Sequence, residues 1–162
     1  NSTNDMAGKS GWYIDLVNDP QTPAEEIGER IIGTPIVRNT SVIVSSIIPS
    51  LELCTSAGKG YVNVVELFSG SSGIENAAGY LDLNGNGIYT DDTLSYIDAK
   101  GKKVTVAVGS VDLGVKMVGD AVVLVGNTAV IAAGGSQGGL GSVQGPNDSI
   151  FGRISWRELI NN

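Results

Sequence analysis

The sequence predicts an all-β fold built from short antiparallel strands. Gly contributes 23 of the 162 residues, about twice its usual ~7% share, which suits a chain with many tight turns. Short segments rich in β-branched residues recur about every ten residues, a spacing typical of sandwiches, barrels and propeller blades. Apolar residues make up 41% of the chain and charged residues 17%, so the composition is that of a folded domain and not of a disordered one.

The strand candidates follow from local enrichment in Val, Ile, Thr and aromatic residues. Two of them, residues 41–45 and 121–125, lie in almost continuous apolar runs, which predicts strands covered on both faces, as in stacked sheets. In chain order the candidates are 12–17, 31–37, 42–48, 61–68, 94–98, 103–108, 116–118, 121–125, 129–133 and 154–159.

Three connections have the residues of hairpin turns. Residues 126–127 place a Gly-Asn pair between two apolar runs, where a two-residue turn needs positive φ angles. Residues 38–41 and 99–102 join two further pairs of runs, so each connection predicts an antiparallel pair of neighbouring strands. Residues 22–26 suit either one helical turn or a Pro-rich surface loop. The Gly-rich stretch 134–141 predicts a loop.

The residue types that the chain lacks exclude several function classes. It has no His, which excludes a Ser-His-Asp triad, a Cys-His pair and a His-ligated metal within the chain. Its one cysteine, Cys54, excludes a CxxC zinc site and an internal disulfide. That thiol is either unpaired or half of a disulfide to a region outside this chain. Because no carboxylate pair stands out as general acid and base, we predict a protein that is not an enzyme.

The net charge and the hydropathy of the chain limit the classes of partner that it is expected to bind. The net charge of -7 argues against a nucleic acid or an anionic membrane surface as partner. No apolar stretch approaches the ~20 residues that span a bilayer. We expect residues 1–162 to form a single all-β domain or fragment, in which residues 1–10 are a polar N-terminal extension without the order of a signal peptide. The chain is therefore expected to be mature, processed or cut from something longer.

The segment 82–92 has the residues of a calcium loop. Oxygen-bearing side chains stand at alternate positions from Asp82 onward, and Gly87 follows where the chain must turn sharply. Alternating oxygens on a tightly turned loop converge on one point, and calcium takes six to eight oxygen ligands. The predicted Ca²⁺ ligands are Asp82, Asn84, Asn86, the backbone carbonyl of Ile88, Thr90, Asp91 and Asp92.

The loop departs from an EF-hand in two places. The third ligand is Asn86 in place of an acid, and the twelfth position is Thr93 in place of a bidentate Glu. Asp91 or Asp92 supplies the missing charge only if the loop closes differently from an EF-hand. Fewer charged ligands predict weak binding, near the ~10⁻⁴–10⁻³ M range of extracellular modules. The alternative is a plain Asn-Gly hairpin turn that holds no metal.

Several short motifs occur in a distinctive order along the chain. Residues 11–16 read Gly-Trp-Tyr-Ile-Asp-Leu, residues 65–70 read Val-Glu-Leu-Phe-Ser-Gly, the 82–92 loop follows, and residues 155–159 read Ser-Trp-Arg-Glu-Leu. This order resembles the C-terminal region of the PilY/PilC family of type IV pilus tip-associated biogenesis and adhesion proteins. The resemblance runs from about residue 11 to residue 159 and is loose over 109–150.

The resemblance implies a fold and a metal site. The C-terminal domain of that family is a modified seven-bladed β-propeller with an EF-hand-like calcium loop that regulates pilus extension and retraction. The family pattern Asp-x-Asn-x-Asp-x-Val-x-Asp falls here on positions at which Asn86 and Thr90 replace two acids. The corresponding positions are Asp82, Asn84, Asn86, Ile88 and Thr90.

The resemblance also implies a location and partners. The family acts outside the cell or at the bacterial surface, at the pilus tip, with minor pilins, and contacts host cells or abiotic surfaces. A propeller blade takes roughly 40–50 residues, so this chain supplies about three or four blades and does not close a seven-bladed ring. The expected solutions are pairing with the remaining part of the parent protein, refolding as a β-sandwich, or self-assembly through strand edges. The alternative function is accordingly a structural subunit of an extracellular β-rich fibre or surface assembly.

Overall fold

A computed structural model of the chain describes residues 6–14, 16, 28–50, 58–73, 79–98, 100–125, 129–135 and 139–145. Every regular element of more than a turn in these ranges is a β-strand, and all the strand pairs are antiparallel. The strands are β1 (Arg30–Ile31), β2 (Ile36–Arg38), β3 (Ser41–Ile48), β4 (Lys59–Glu66), β5 (Thr93–Ile97), β6 (Lys103–Ala107), β7 (Ser110–Asp112), β8 (Val118–Val125), β9 (Ala129–Gly135) and β10 (Leu140–Gln144).

The largest sheet is centred on β3 and β4, which pair along their whole length from Ser41↔Glu66 to Ile48↔Lys59. Strand β7 pairs with the other side of β4, and both β1 and β2 pair with the outer edge of β3. Ile43, Val62 and Val64 are fully buried on these strands. Their β-branched side chains suit the pleated surface, and burying each contributes about 1.5–3 kcal/mol.

A three-stranded sheet in the order β10-β9-β8 packs against the first, and the two sheets share one apolar core. This sheet contributes Ile131, Val118 and Val143 to the core. The approach is close where β4 meets β8, because a Cβ on Gly60 would lie 2.3 Å from the backbone nitrogen of Val118. No helix among the described residues is long and apolar enough to cross a membrane.

The all-β, antiparallel prediction is confirmed. The predicted strands over 42–48, 61–68, 94–98, 103–108, 121–125 and 129–133 match β3, β4, β5, β6, β8 and β9. The hairpin turns at 38–41 and 99–102 join paired strands, and Asn39 and Gly101 there take positive φ angles of 51° and 77°. Within the described ranges the sheets have five, three and two strands and form no closed ring, so the propeller stays a prediction.

Several other predictions were wrong or lie outside the described residues. Residues 12–14 form no strand, the 31–37 segment splits into β1 and β2, and the predicted 134–141 loop contains the ends of β9 and β10. The short strand β7 was not predicted at all. Four further predictions concern residues outside the described ranges: the helical turn or loop at 22–26, the state of Cys54, the turn at 126–127 and the strand at 154–159.

Candidate metal centre

The 82–92 segment, called here the Asp82 loop, begins at the edge of the core. Leu81 is fully buried, and Asp82 beside it is only 2% exposed. The backbone N–H of Asp82 donates to the carbonyl of Gln144 at 3.1 Å, in an isolated antiparallel bridge to the end of β10. The first residue of the loop is therefore fixed by core packing and by a neighbouring strand.

The carboxylate of Asp82 holds the loop turned around itself. Its Oδ1 accepts the N–H of Gly85 at 2.7 Å, and its Oδ2 accepts the N–H of Gly87 at 2.8 Å. Both glycines have positive φ angles, 73° and 77°, in the left-handed region that glycine adopts without steric cost. Two charge-assisted hydrogen bonds accepted by one carboxylate thus set the path of the loop.

The two asparagines each make a local turn with their own side chain. Oδ1 of Asn84 accepts the N–H of Asn86 at 2.9 Å, and Oδ1 of Asn86 accepts the N–H of Ile88 at 2.6 Å. These are Asx turns, a conformation that Asn and Asp favour. A carbonyl oxygen has two lone pairs, so each Oδ1 keeps one for a further partner.

The side-chain amide nitrogens of the same asparagines donate hydrogen bonds to a second carboxylate of the loop, that of Asp91. Nδ2 of Asn86 donates to Oδ2 of Asp91 at 2.7 Å, and Nδ2 of Asn84 donates to the same oxygen at 3.4 Å. Three of the seven predicted ligands, Asn84, Asn86 and Asp91, are therefore linked by side-chain hydrogen bonds, and the carboxylate of Asp82 binds the backbone of the same loop.

The remaining predicted ligands lie at the exit of the loop. Ile88 is connected through its N–H to Asn86, and Thr90 is an exposed side chain. Asp92 is only 7% exposed, and its Oδ2 finds no hydrogen-bond partner among the described residues. A buried carboxylate oxygen left unpaired costs free energy, so a water or a cation at this position would be favourable.

Tyr89 closes the loop against the body of the protein. Its hydroxyl donates to the carbonyl of Gly145 at 2.8 Å, and its own carbonyl accepts the N–H of Gly79 at 2.9 Å. Burial raises the pKa of the Tyr89 hydroxyl, and the negative charge of Asp82 raises that pKa further.

The donor set of the loop consists of carboxylate and amide oxygens, the ligand types that calcium takes. No group of three or more His, Cys, Asp and Glu side chains in the described part of the chain is arranged to hold a metal ion. A cation in the loop would therefore depend on the oxygens of Asn84 and Asn86 as well as on Asp82. A hard cation held there would be bound weakly, since neutral oxygens would supply much of its coordination.

A second turn uses a buried carboxylate that the sequence reasoning missed. This segment, 66–71, is called here the Glu66 turn. Oε2 of Glu66 accepts the N–H of Phe68 at 2.8 Å and that of Ser69 at 2.5 Å. The indole Nε1 of Trp12 donates to the carbonyl of Leu67 at 2.9 Å, so Trp12 is anchored on this turn. The sequence signal was present, because both segments belong to the motif order described above.

Comparison with known proteins gives one local similarity. Over 67 residues, or 41% of this chain, the sequence is 36% identical to a type IV pilus biogenesis factor, a PilY1 homolog of Xylella fastidiosa. The matched region is 4% of that protein, so the chain spans a small fraction of the length of this relative. No protein-family model matches the chain, and no solved structure shows significant similarity to it.

Proposed function

We propose that the chain is a portion of a type IV pilus-associated protein, in which the Asp82 loop binds calcium. The observation that carries the pilus assignment is the local identity of 36% over 67 residues to a pilus biogenesis factor. The order of motifs along the chain points to the same assignment. The proposed role is non-enzymatic and lies in pilus biogenesis and adhesion at the cell surface.

The hydrogen bonds of the loop support the calcium proposal. The Oδ1 atoms of Asn84 and Asn86 each accept one backbone N–H and keep a lone pair. The Asp91 carboxylate lies against the amides of both, which brings a second negative charge to the loop. When bound, calcium would supply a fixed positive charge at the loop, and Asp82, Asn84, Asn86, Asp91 and Asp92 would hold it.

We expect this binding to be weak. Asn86 and Thr90 stand where the related calcium pattern has acids, and fewer charged ligands lower the affinity toward ~10⁻⁴–10⁻³ M. A site of that affinity responds to the calcium concentrations found outside cells. The proposed partners are minor pilins, the remaining part of the parent protein, and a host or abiotic surface.

Genetic complementation tests this proposal. The coding sequence is deleted in the organism that encodes it, and the strain is complemented with the wild type, with Asp91→Asn or with the control Glu66→Gln. We expect the deletion to remove surface pili seen by electron microscopy and the wild type to restore them. We expect Asp91→Asn, but not Glu66→Gln, to change how piliation responds to calcium. Normal piliation and attachment in the deletion strain would contradict the pilus assignment.

A further inference from the structure

Strands β5 and β6 form a two-stranded antiparallel ribbon. They pair only with each other among the described residues. Their side chains are largely exposed, including Leu94 at 60% and Val106 at 36%. A two-stranded ribbon is marginally stable in water unless a third strand or another element supports it. The ribbon is therefore a sheet with room for a further strand.

The two faces of the ribbon differ in character. The register places Leu94 opposite Val106 and Tyr96 opposite Val104, so one face carries only these four large apolar or aromatic side chains. The opposite face is mixed: beside Ile97 and Ala107 it carries the polar side chains of Thr93, Ser95, Lys103 and Thr105. The hydroxyls of Ser95 and Thr105 lie 2.8 Å apart across the strands. A strand added to this sheet would have to alternate apolar and polar side chains in the same way.

The tip of the ribbon carries a cluster of positive charge. Lys100, Lys102 and Lys103 are exposed and lie within four residues, in a chain whose net charge is -7. On the β5 side of the tip, Oδ1 of Asp98 accepts the N–H of Lys100 at 2.9 Å and that of Lys102 at 2.8 Å. The basic edge is thus the β6 edge, and the β5 edge ends in an acid.

The outer edge of β6 offers backbone hydrogen bonds. At the tip, the N–H of Asp98 donates to the carbonyl of Lys102 at 2.9 Å, and at the base the N–H of Val108 donates to Asp92 at 3.1 Å. Because hydrogen-bonded pairs alternate along an antiparallel ladder, the peptide groups of Ser95 and Thr105 point outward on opposite edges. The outward groups of Thr105 lie next to Lys103 and are suited to accept a strand.

We propose that the β6 edge binds an extended segment of a partner protein in which apolar and acidic side chains alternate. Its backbone pairs with the outward groups of β6 as a third strand, a common mode of peptide recognition. Its apolar side chains cover Val104 and Val106, and its carboxylates meet Lys103 and the tip lysines. The described strands of this chain contain no such acidic alternation, which favours a different protein over a second copy.

The experiment uses the full chain and a fluorescent peptide of about seven residues, a typical strand length, in which Val and Glu alternate. Controls are a scrambled peptide of the same composition and a Val-Lys peptide. We expect the alternating Val-Glu peptide to bind and both controls to bind at least about tenfold more weakly. Equal binding of the scrambled peptide would indicate unspecific charge attraction and overturn the proposal. So would a lack of binding of the Val-Glu peptide.

Two proline variants locate the edge. Proline removes an N–H and is tolerated at sheet edges, and Thr105→Pro and Ser95→Pro lose the same Ser95–Thr105 hydrogen bond. We expect Thr105→Pro to weaken binding about tenfold, because an intermolecular hydrogen bond is lost. The matched variant Ser95→Pro is expected to change affinity less than about twofold. A larger loss in Ser95→Pro than in Thr105→Pro would contradict the assignment to β6.

A charge exchange tests the proposal without perturbing the backbone. We expect Lys103→Glu to weaken the Val-Glu peptide about threefold to tenfold and to strengthen the Val-Lys peptide by a similar factor, since the charge pair is reversed. Affinities for both peptides that do not respond to Lys103→Glu would overturn the proposal. None of these outcomes depends on calcium, so they leave the proposed function to its own tests.

Discussion

The Glu66 turn and the Asp82 loop are built around the same device. In each, a carboxylate at most 8% exposed accepts two backbone N–H groups that follow it in the sequence. Each carboxylate also has a nearby tyrosine, Tyr80 for Glu66 and Tyr89 for Asp82, whose pKa is raised by burial first and by the carboxylate charge as well. In both turns, the carboxylate takes the place of a neighbouring strand as the hydrogen-bond acceptor for these backbone N–H groups.

The two turns differ in what surrounds the carboxylate. Around Glu66 the hydroxyl of Ser69 donates to that of Ser71, which donates to the carbonyl of Gly73, so the polar chain ends on the backbone. In the Asp82 loop the neighbours are amides with spare oxygen lone pairs, and these amides donate to one further carboxylate, that of Asp91. A buried carboxylate by itself therefore indicates a turn, and the proposal of a cation site rests on the additional oxygen atoms of the Asp82 loop.

The largest expected effect is common to both turns. Without calcium, Glu66→Ala and Asp82→Ala should each lower the free energy of unfolding by about 2–4 kcal/mol, because each leaves two backbone N–H groups without an acceptor. Urea denaturation of the two variants and the wild type measures this. A loss below about 1 kcal/mol in either variant would show that its carboxylate does not hold the turn.

Calcium should stabilise the protein through the Asp82 loop and not through the Glu66 turn. At about 10 mM free calcium and a Kd of ~10⁻⁴–10⁻³ M, the wild type should gain about 1.4–2.7 kcal/mol of unfolding free energy. Glu66→Ala should gain as much, and Asp82→Ala should gain nothing. Magnesium at the same concentration serves as the ionic-strength control. An equal gain in both variants would mean that the added stability does not come from the Asp82 loop.

Asn86→Asp tests the Asp82 loop alone. We expect this substitution to lower the stability of the calcium-free protein and to raise the affinity for calcium. Without calcium it should lower the free energy of unfolding by about 0.5–1.5 kcal/mol, since an amide donor to Asp91 is replaced by a like charge. With calcium it should raise the affinity about tenfold, as an acid returns to a ligand position. Denaturation with and without calcium measures both effects. A variant that is destabilised equally in both conditions would contradict Asn86 as a ligand.

The smallest effect concerns the two tyrosines. The pKa of Tyr80 and that of Tyr89 lie above their usual value of 10.0 in the folded protein, so the folded state holds these protons more tightly than the unfolded state. The resulting stabilisation is present below about pH 10 and is lost as the pH rises through the folded pKa values. Calcium should lower the pKa of Tyr89 and leave that of Tyr80 unchanged. Absorbance titration of Tyr89→Phe and Tyr80→Phe distinguishes them.

The sequence predicts the elements whose local chemistry agrees with their packing. The β-branched runs of β3 and β4 are buried as expected, and the hairpins with Asn39 and Gly101 follow from their positive φ angles. The Gly residues of the Asp82 loop predict a tight turn for the same reason, and Gly85 and Gly87 there take positive φ angles. In each case one short segment contains the whole signal.

The elements that were missed depend on residues distant in the sequence. Strand β10 contains Gly141, which indicates a loop, but a Cβ there would lie 2.5 Å from the Cβ of Leu113, so glycine is required for close packing. The 31–37 segment splits because Thr34 donates its N–H to Asp120 at 3.1 Å. Residues 32–35 lie between the last paired residue of β1 and the first of β2, whereas only residues 44–45 lie between their partners on β3. The segment is therefore two residues longer than the stretch of β3 that it faces. Trp12 lies outside any strand, and its indole N–H donates a hydrogen bond to the carbonyl of Leu67.

The most direct measurement is a calorimetric titration of calcium into the full chain, with Asp82→Asn as the test variant and Glu66→Gln as the matched control. Both substitutions keep the side-chain shape and an acceptor oxygen, so folding is preserved better than in the alanine variants. We predict one site with a Kd of ~10⁻⁴–10⁻³ M in the wild type and in Glu66→Gln, and binding weakened at least about tenfold in Asp82→Asn. No heat of binding up to about 10 mM calcium, or equal binding by Asp82→Asn, would contradict the account.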